Sequence, residues 1–293
     1  MGINDKFDRT VSMLTWGYNE EELVEGFLDR AFALLESTIN DYEVIFVNDG
    51  STDRTGEILA AYARKEPRLR VITNKINLDV GLSCRRAPAL ASKEFLFWQT
   101  VDWSYDLTHL RIFLELLNHF DVVQGIRPTP ERILSHIPVI RSIYRVKSRS
   151  DNLKKAIISL TNYYLLRLLY GVKFHDFQNI TFYPTALVQS LDLMGKSSFV
   201  NPELLIKSHA LKVRFLEVPI PFIPRQKGKG KGTRISAIVR AVRDIFGNWC
   251  RWGLKLRWAN LHHHRDTIFR VSQPVYLDEE VLQLVIPLFK FYR

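Results

Sequence analysis

Over the first 125 residues, short apolar runs alternate with helix-period sequence, and this alternation leaves very few folds open to the chain. Val11 to Trp16 (VSMLTW) and Glu43 to Val47 (EVIFV) read as strands, the second too continuously apolar for an edge that faces water. Leu69 to Thr73 and Phe95 to Thr100 (FLFWQT) give a third and a fourth, and Asp121 to Gly125 (DVVQG) fits a fifth. Between the first two, Asn19 is expected to cap a helix with Glu22 as its capping-box partner. Leu23, Phe27, Ala31 and Leu34 carry that helix to about Glu36, and a second is expected from about Asp53 to Arg64. Strands alternating with helices require crossover connections and a sheet covered on both sides. The expected architecture is α/β: a Rossmann-like, mostly parallel sheet with helices on both faces.

In such sheets ligands lie beyond the carboxyl ends of the strands. The residues that fall there are Tyr18, Asn19 and Glu20 after the first strand and Asn48, Asp49, Gly50 and Ser51 after the second. Asn74 to Asn77 follow the third, and Asp102 follows the fourth. Acidic residues thus close the first, second and fourth strands. A carboxylate rim suits sugar hydroxyls or a hard cation better than bare phosphate. Neither GxGxxG nor GxxxxGK[ST] follows the first strand, which argues against a dinucleotide enzyme or a P-loop ATPase.

Composition narrows the class further. The chain has 293 residues, 46% of them hydrophobic and 25% charged, which is enough apolar sequence for a sizeable core. Its two cysteines, Cys84 and Cys250, make neither a disulfide framework nor a zinc pattern, as expected of a reducing, cytoplasmic compartment. MGINDKFDRT lacks the apolar stretch of a signal peptide, and the longest apolar runs fall short of the ~20 residues of a membrane span. The net charge is +10, with basic residues crowded between 225 and 270. Helix-turn-helix, RNP and zinc signatures are missing, so nucleic acid is not an expected partner.

Three strings then carry a resemblance. VSMLTWGYNEEELV, EVIFVNDGSTDRTGEI and an Asp after the fourth strand resemble, in order, the family 2 glycosyltransferases with the GT-A fold. Further on, YLLRLLYGVKFHDFQNITFYP and NPELLIKSHALKVRFLEVPIPFIPRQKGKGKG are similar to segments of the polyprenyl-phosphate sugar synthases. The matches run over about residues 10–235. Departures stand beside them. Thr100-Val101-Asp102 lacks the first acid of the metal motif, and Trp16-Gly17 stands where a Pro is usual. Arg85, Arg86 and Pro88 replace small residues, and Ile180 stands in place of a Gly.

The resemblance implies transfer of a sugar from a nucleoside diphosphate donor, inverting and metal-assisted. It makes Tyr18, Glu20, Asn48 and Asp49 the base- and ribose-binding rim, and Asp102 the ligand of Mg²⁺ or Mn²⁺. Asp106 is expected to cap the next helix instead. Arg225, Lys229 and Lys231 would lie over the diphosphate, with glycines between the lysines letting backbone approach a ligand closely. Asp176 and Gln178 would serve the transfer itself, and Glu203 is expected to open a helix. The acceptor implied is polyprenyl phosphate. The alternatives are a saccharide acceptor, or a degenerate binding protein that kept only the nucleotide rim.

Residues 1–232 are expected to form the GT-A domain, and 233–293 a helical extension. Within the latter, SAIVRAVRDIFGNWCRWGLKLRW sets apolar residues at helical spacing with basic ones between, which suits either a helix lying on an anionic membrane surface or an amphipathic helix packed on the core with a basic outer face. The expected location is the cytoplasm, and with the first of these readings the inner face of the membrane. Consecutive His262, His263 and His264 cannot converge on one metal from a helix.

Overall fold

The computed structural model describes residues 6–127, 153–223, 235–262, 267–271 and 276–288. Eight strands build one sheet: β1 (Val11–Gly17), β2 (Tyr42–Asn48), β3 (Leu69–Thr73), β4 (Phe95–Trp98), β5 (Val122–Ile126), β6 (Thr181–Pro184), β7 (Phe215–Pro219) and β8 (Ile268–Arg270). Their spatial order is β3-β2-β1-β4-β6-β5-β7-β8. All neighbours pair in parallel except β6, which runs against both β4 and β5. Every residue of β2, β4, β5 and β7 is buried, so the sheet is covered on both sides, as continuous apolar runs require.

The helices are α1 (Val24–Thr38), α2 (Thr55–Lys65), α3 (Asp79–Ala89), α4 (Leu110–Glu115), α5 (Leu153–Tyr170), α6 (Thr185–Ser190), α7 (Val200–Ala210), α8 (Ile235–Asn248), α9 (Leu254–His262) and α10 (Glu279–Val285). A π-helical turn, Trp249–Gly253, joins α8 to α9. Helix α1 buries Val24, Phe27, Leu28, Ala31, Phe32 and Leu35, a stripe at helical spacing.

The C-terminal extension is helical over Ile235–His262 and then also adds β8 to the sheet. Val271, Val281, Val285 and Leu288 are buried in the same core cluster as Val11 and Phe46. The extension is clasped to α5. The Tyr170 hydroxyl donates to the Ile245 carbonyl (2.7 Å), and the Trp249 indole donates to the Leu169 carbonyl (2.9 Å). Gly253 is required there, because a Cβ would lie 2.4 Å from the Tyr170 ring. None of the described helices is long and apolar enough to cross a membrane.

A buried ion cluster pins β7 to β8. Glu217, wholly buried, accepts from the His175 backbone N–H (2.6 Å), meets His175 Nδ1 (2.6 Å) and pairs with Arg270 Nε (2.9 Å). Burial pushes this carboxyl up, but the charges and hydrogen bonds of His175 and Arg270 outweigh it, so it titrates below its ordinary 4.5. A depressed carboxyl contributes stability that is complete above the unfolded-state value and is lost as pH falls through the folded-state value. Thermal midpoints recorded from pH 7 downward are therefore expected to fall below about pH 4.5. Glu217→Gln should remove that part of the slope and lower the midpoint at neutral pH.

Candidate active site

The turns after β1 and β2 are stitched together. The Asp49 amide donates to the Gly17 carbonyl (2.8 Å), and the Asn19 amide donates to Ser51 Oγ (3.0 Å). Asn19 Oδ1 accepts from the Thr52 amide (2.8 Å), and the Glu20 amide donates to Thr55 Oγ1 (2.9 Å). Asn19 was expected to cap α1, and it does not. That helix begins at Val24 with no side-chain cap, while Asn19 takes a left-handed backbone (φ 53°) and spends its side chain across the cleft between turns. The result fixes Tyr18 and Glu20 beside the NDGST turn. Gly50 completes that turn with φ +71°, and a Cβ there would lie 2.5 Å from the Ile76 carbonyl carbon.

Asp49 is 4% exposed, and its Oδ1 accepts from Asn74 Nδ2 (2.8 Å) and the Leu78 amide (2.9 Å). Among the described residues no donor reaches its second oxygen, Oδ2, which therefore keeps its capacity to accept from a ligand N–H or O–H. Asn48, equally buried, turns its Oδ1 to the Ser51 amide (3.2 Å) and braces the turn. Arg86, one of the departures from the family pattern, donates to Asn74 Oδ1 and so orients the amide that holds Asp49. Arg85 lines a groove with Gln189 and Asp192 beside α6. Trp103 packs on Phe27 of α1 (5.7 Å) beneath Arg30 (4.3 Å).

Strand β4 ends at Trp98, short of the expected Thr100, because Gln99 closes a loop with its own side chain. Its Oε1 accepts from the Thr100 amide (3.0 Å) and the Tyr105 amide (3.3 Å), while Nε2 donates to the Tyr105 carbonyl (2.8 Å). Thr100, standing where the metal motif has an acid, accepts from the Ser104 amide (2.9 Å) and staples the same loop. Asp102 is half-buried in it, with Oδ1 accepting from Ser104 Oγ (2.7 Å). The loop abuts the first turn: a Cβ on Gly17 would lie 3.3 Å from both Glu20 Cγ and Val101 Cγ2. Asp106 accepts from the Thr108 amide (3.0 Å) in a turn of its own, ahead of α4 and not as its cap.

The fit to a metal follows from this donor set. No three His, Cys, Asp or Glu side chains gather around one point among the described residues. Asp102 offers a hard carboxylate oxygen, which suits Mg²⁺ or Mn²⁺ when diphosphate oxygens and water complete the shell.

On the other side of the rim Asp176 is 1% exposed and gripped by Arg127, with Nε to Oδ2 at 2.6 Å and Nη2 to Oδ1 at 2.7 Å. Its Oδ1 also accepts from the Phe177 (2.8 Å) and Gln178 (3.2 Å) amides. Burial pulls the guanidinium of Arg127 down, but Asp176 more than restores it and leaves it above its ordinary value. So occupied, Asp176 positions the 176–178 loop and Arg127. Gln178 Nε2 donates to the Ser198 carbonyl (3.3 Å), and its own carbonyl accepts from the buried Tyr105 hydroxyl (3.1 Å), tying this loop to the one that carries Asp102. Glu203, in the first turn of α7, accepts from the Met194 (2.9 Å) and Gly195 (2.6 Å) amides and pairs with Lys207 (2.7 Å), a bracing role.

Arg127 and Tyr105 were not singled out from the sequence. Arg127 directly follows β5, so examining the end of that strand like the others would have found it. Arg225, Lys229 and Lys231 lie outside the described residues. The described stretch that precedes them runs to Ile223, whose amide donates to the Ser104 carbonyl (2.8 Å) beside Asp102.

Comparison with known proteins identifies a family and a fold. The family model described as Glycosyl transferase family 2 matches residues 14–170. An uncharacterized glycosyltransferase EpsJ of Bacillus subtilis (strain 168) is 29% identical over 181 residues, 59% of this chain and 51% of its own, so the chain spans about half the length of that relative. The undecaprenyl-phosphate mannosyltransferase of Micrococcus luteus is 24% identical over 251 residues, 83% of this chain and 94% of its own. Among solved structures, the mannosyltransferase PcManGT from Pyrobaculum calidifontis, in complex with GDP-Man and Mn²⁺, superposes with a TM-score of 0.57 at 13% identity. That superposition covers 96% of this chain and 75% of the other, and at such identity it speaks to the fold.

Proposed function

The chain belongs to glycosyl transferase family 2, and from that premise we propose that it moves a sugar from a nucleoside diphosphate donor to polyprenyl phosphate by inverting, divalent-metal-assisted transfer. The observation that carries this reading is the convergence of three strand ends. Asp49, Glu20 and Asp102 leave β2, β1 and β4 on one edge, with the β1 and β2 turns hydrogen-bonded and the β4 loop packed on Gly17. Tyr18, Glu20, Asn48 and Asp49 receive the base and ribose, the pre-aimed Oδ2 of Asp49 accepting from the ligand. Asp102 would hold Mg²⁺ or Mn²⁺, which supplies charge neutralisation for the departing diphosphate. Arg225, Lys229 and Lys231 are assigned to the same diphosphate. Gln178 orients the donor sugar or the acceptor phosphate.

In the transfer, an acceptor phosphate oxygen forms a bond to the anomeric carbon as the bond from that carbon to the diphosphate breaks, and the nucleoside diphosphate leaves with the electron pair. An ionised phosphate attacks without surrendering a proton. A saccharide hydroxyl would need a positioned base. Asp176 is the acid the resemblance offers for that task, and its commitment to Arg127 favours the phosphate acceptor. The likeness to an undecaprenyl-phosphate mannosyltransferase supports the same choice.

A mass-spectrometric screen of nucleotide sugars against polyprenyl phosphate and free saccharides tests the reading. Glycosylated lipid phosphate is the expected product; a saccharide product alone would overturn the acceptor. Nucleotide binding that ignores Mn²⁺ and supports no turnover would instead favour a degenerate binding protein, the reading that Thr100 raises. Asp49→Ala is expected to raise the donor KM about 10- to 100-fold with a smaller change in kcat, the worth of a hydrogen bond to a charged acceptor.

A further inference from the structure

We propose that the face formed by α8, the π-helical turn and α9 docks on an anionic lipid bilayer. Large apolar side chains on this segment are exposed to a degree that folding does not explain: Ile235 is 80% exposed, Val239 50%, Val242 42%, Phe246 44%, Leu254 48% and Trp258 64%. At about 100° per residue the first four fall in one narrow strip along α8. An unbroken α-helix would carry Leu254 and Trp258 about a quarter-turn off that strip, but the wider π turn sets them back onto it. Exposed Cys250 falls on the same line between Phe246 and Leu254. Ile245, Asn248 and Gly253 lie on a different side, buried against the body of the protein.

Charge selects the occupant. Arg243, Arg251 and Lys255 are exposed and run beside the apolar strip on its far side from the core, and Arg240 joins them while pairing with Asp79 at 3.1 Å. The one acid in the segment, Asp244, turns inward, accepting from the Lys196 amide (2.7 Å) and from Ser197 Oγ (2.8 Å). An apolar strip bordered by Arg243, Arg251 and Lys255, which meet no acid among the described residues, suits acyl chains beneath anionic headgroups. A second copy of the chain would bring two cationic strips together, which disfavours self-association. Docking stands on these helices alone and does not rest on the transfer proposed above, although a lipid-borne acceptor would be met at the same surface.

Cys84 is buried, so Cys250 of the full chain takes a polarity-sensitive fluorophore selectively. With no donor present, phosphatidylcholine vesicles containing phosphatidylglycerol are expected to shift its emission to the blue and to co-sediment the unlabelled protein. Pure phosphatidylcholine should do so far less, and salt should weaken the effect. Phe246→Asp and Leu254→Asp, both at exposed positions, should each weaken vesicle binding about tenfold or more without moving the thermal midpoint. Arg243→Glu should lower it only for the anionic vesicles. Absence of binding to phosphatidylglycerol vesicles, or undiminished binding by Phe246→Asp, overturns the proposal. So does a dimer that Phe246→Asp dissociates in a protein that ignores vesicles.

Discussion

Asp102→Asn is expected to cut sugar transfer about 10³-fold, since metal stabilisation of a leaving diphosphate amounts to several kcal/mol and each tenfold in rate to about 1.4. The substitution is chosen for what it preserves. Asn keeps an Oδ1 able to accept from Ser104 Oγ, so the loop closed by Gln99 and Thr100 retains its shape. What disappears is one negative charge and one strong metal donor. With Thr100 already neutral, the motif would retain no acid, and added Mn²⁺ should restore little. The expected signature is a fall in kcat, a weakened response in Mn²⁺ titration and an unaltered unfolding curve. Turnover equal to that of the parent would remove Asp102 from the reaction.

Asp176→Asn should show the opposite pattern, with stability as the main casualty. Neutralising this carboxylate leaves the guanidinium of Arg127, 13% exposed, without its counter-charge, and breaking a buried pair in this way costs about 3–5 kcal/mol. Urea unfolding would measure it. Pairing the change with Arg127→Met should return much of the loss, because the stranded charge is then gone; the double-mutant cycle isolates the coupling. If instead kcat collapsed while the unfolding midpoint stayed in place, Asp176 would be acting as a base and the phosphate acceptor would lose its main support.

How far the sequence could be read depended on the range of the interactions involved. Strands β1 and β2 were legible because both faces are covered and their apolar runs are long, whereas β3, an edge strand with only Leu69 buried, was legible from its short β-branched run alone. The edge at which Asp49 and Asp102 emerge followed from strand direction alone. Asn19 was misread because its partner, Thr52, lies on another turn and its left-handed backbone leaves no mark in composition. The grip of Arg127 on Asp176 bridges segments far apart in the chain, and β6 and β8 are too short for periodicity to detect. Arg86 looked like an intrusion into a small-residue stretch, and only its bond to Asn74 reveals it as a brace for Asp49.

The lone antiparallel strand has a consequence for how the catalytic edge is assembled. Strands β1, β2, β4 and β5 hand over Glu20, Asp49, Asp102 and Arg127 on exit, whereas β6 presents its entrance to the same side, so Asp176 and Gln178 arrive upstream of it. Changes in that approach alter what faces the edge while leaving untouched the ladder that holds β4 to β5 through β6. The β1–β4 side of the sheet and the β5–β8 side are thus joined through a seam of four residues of backward-running chain.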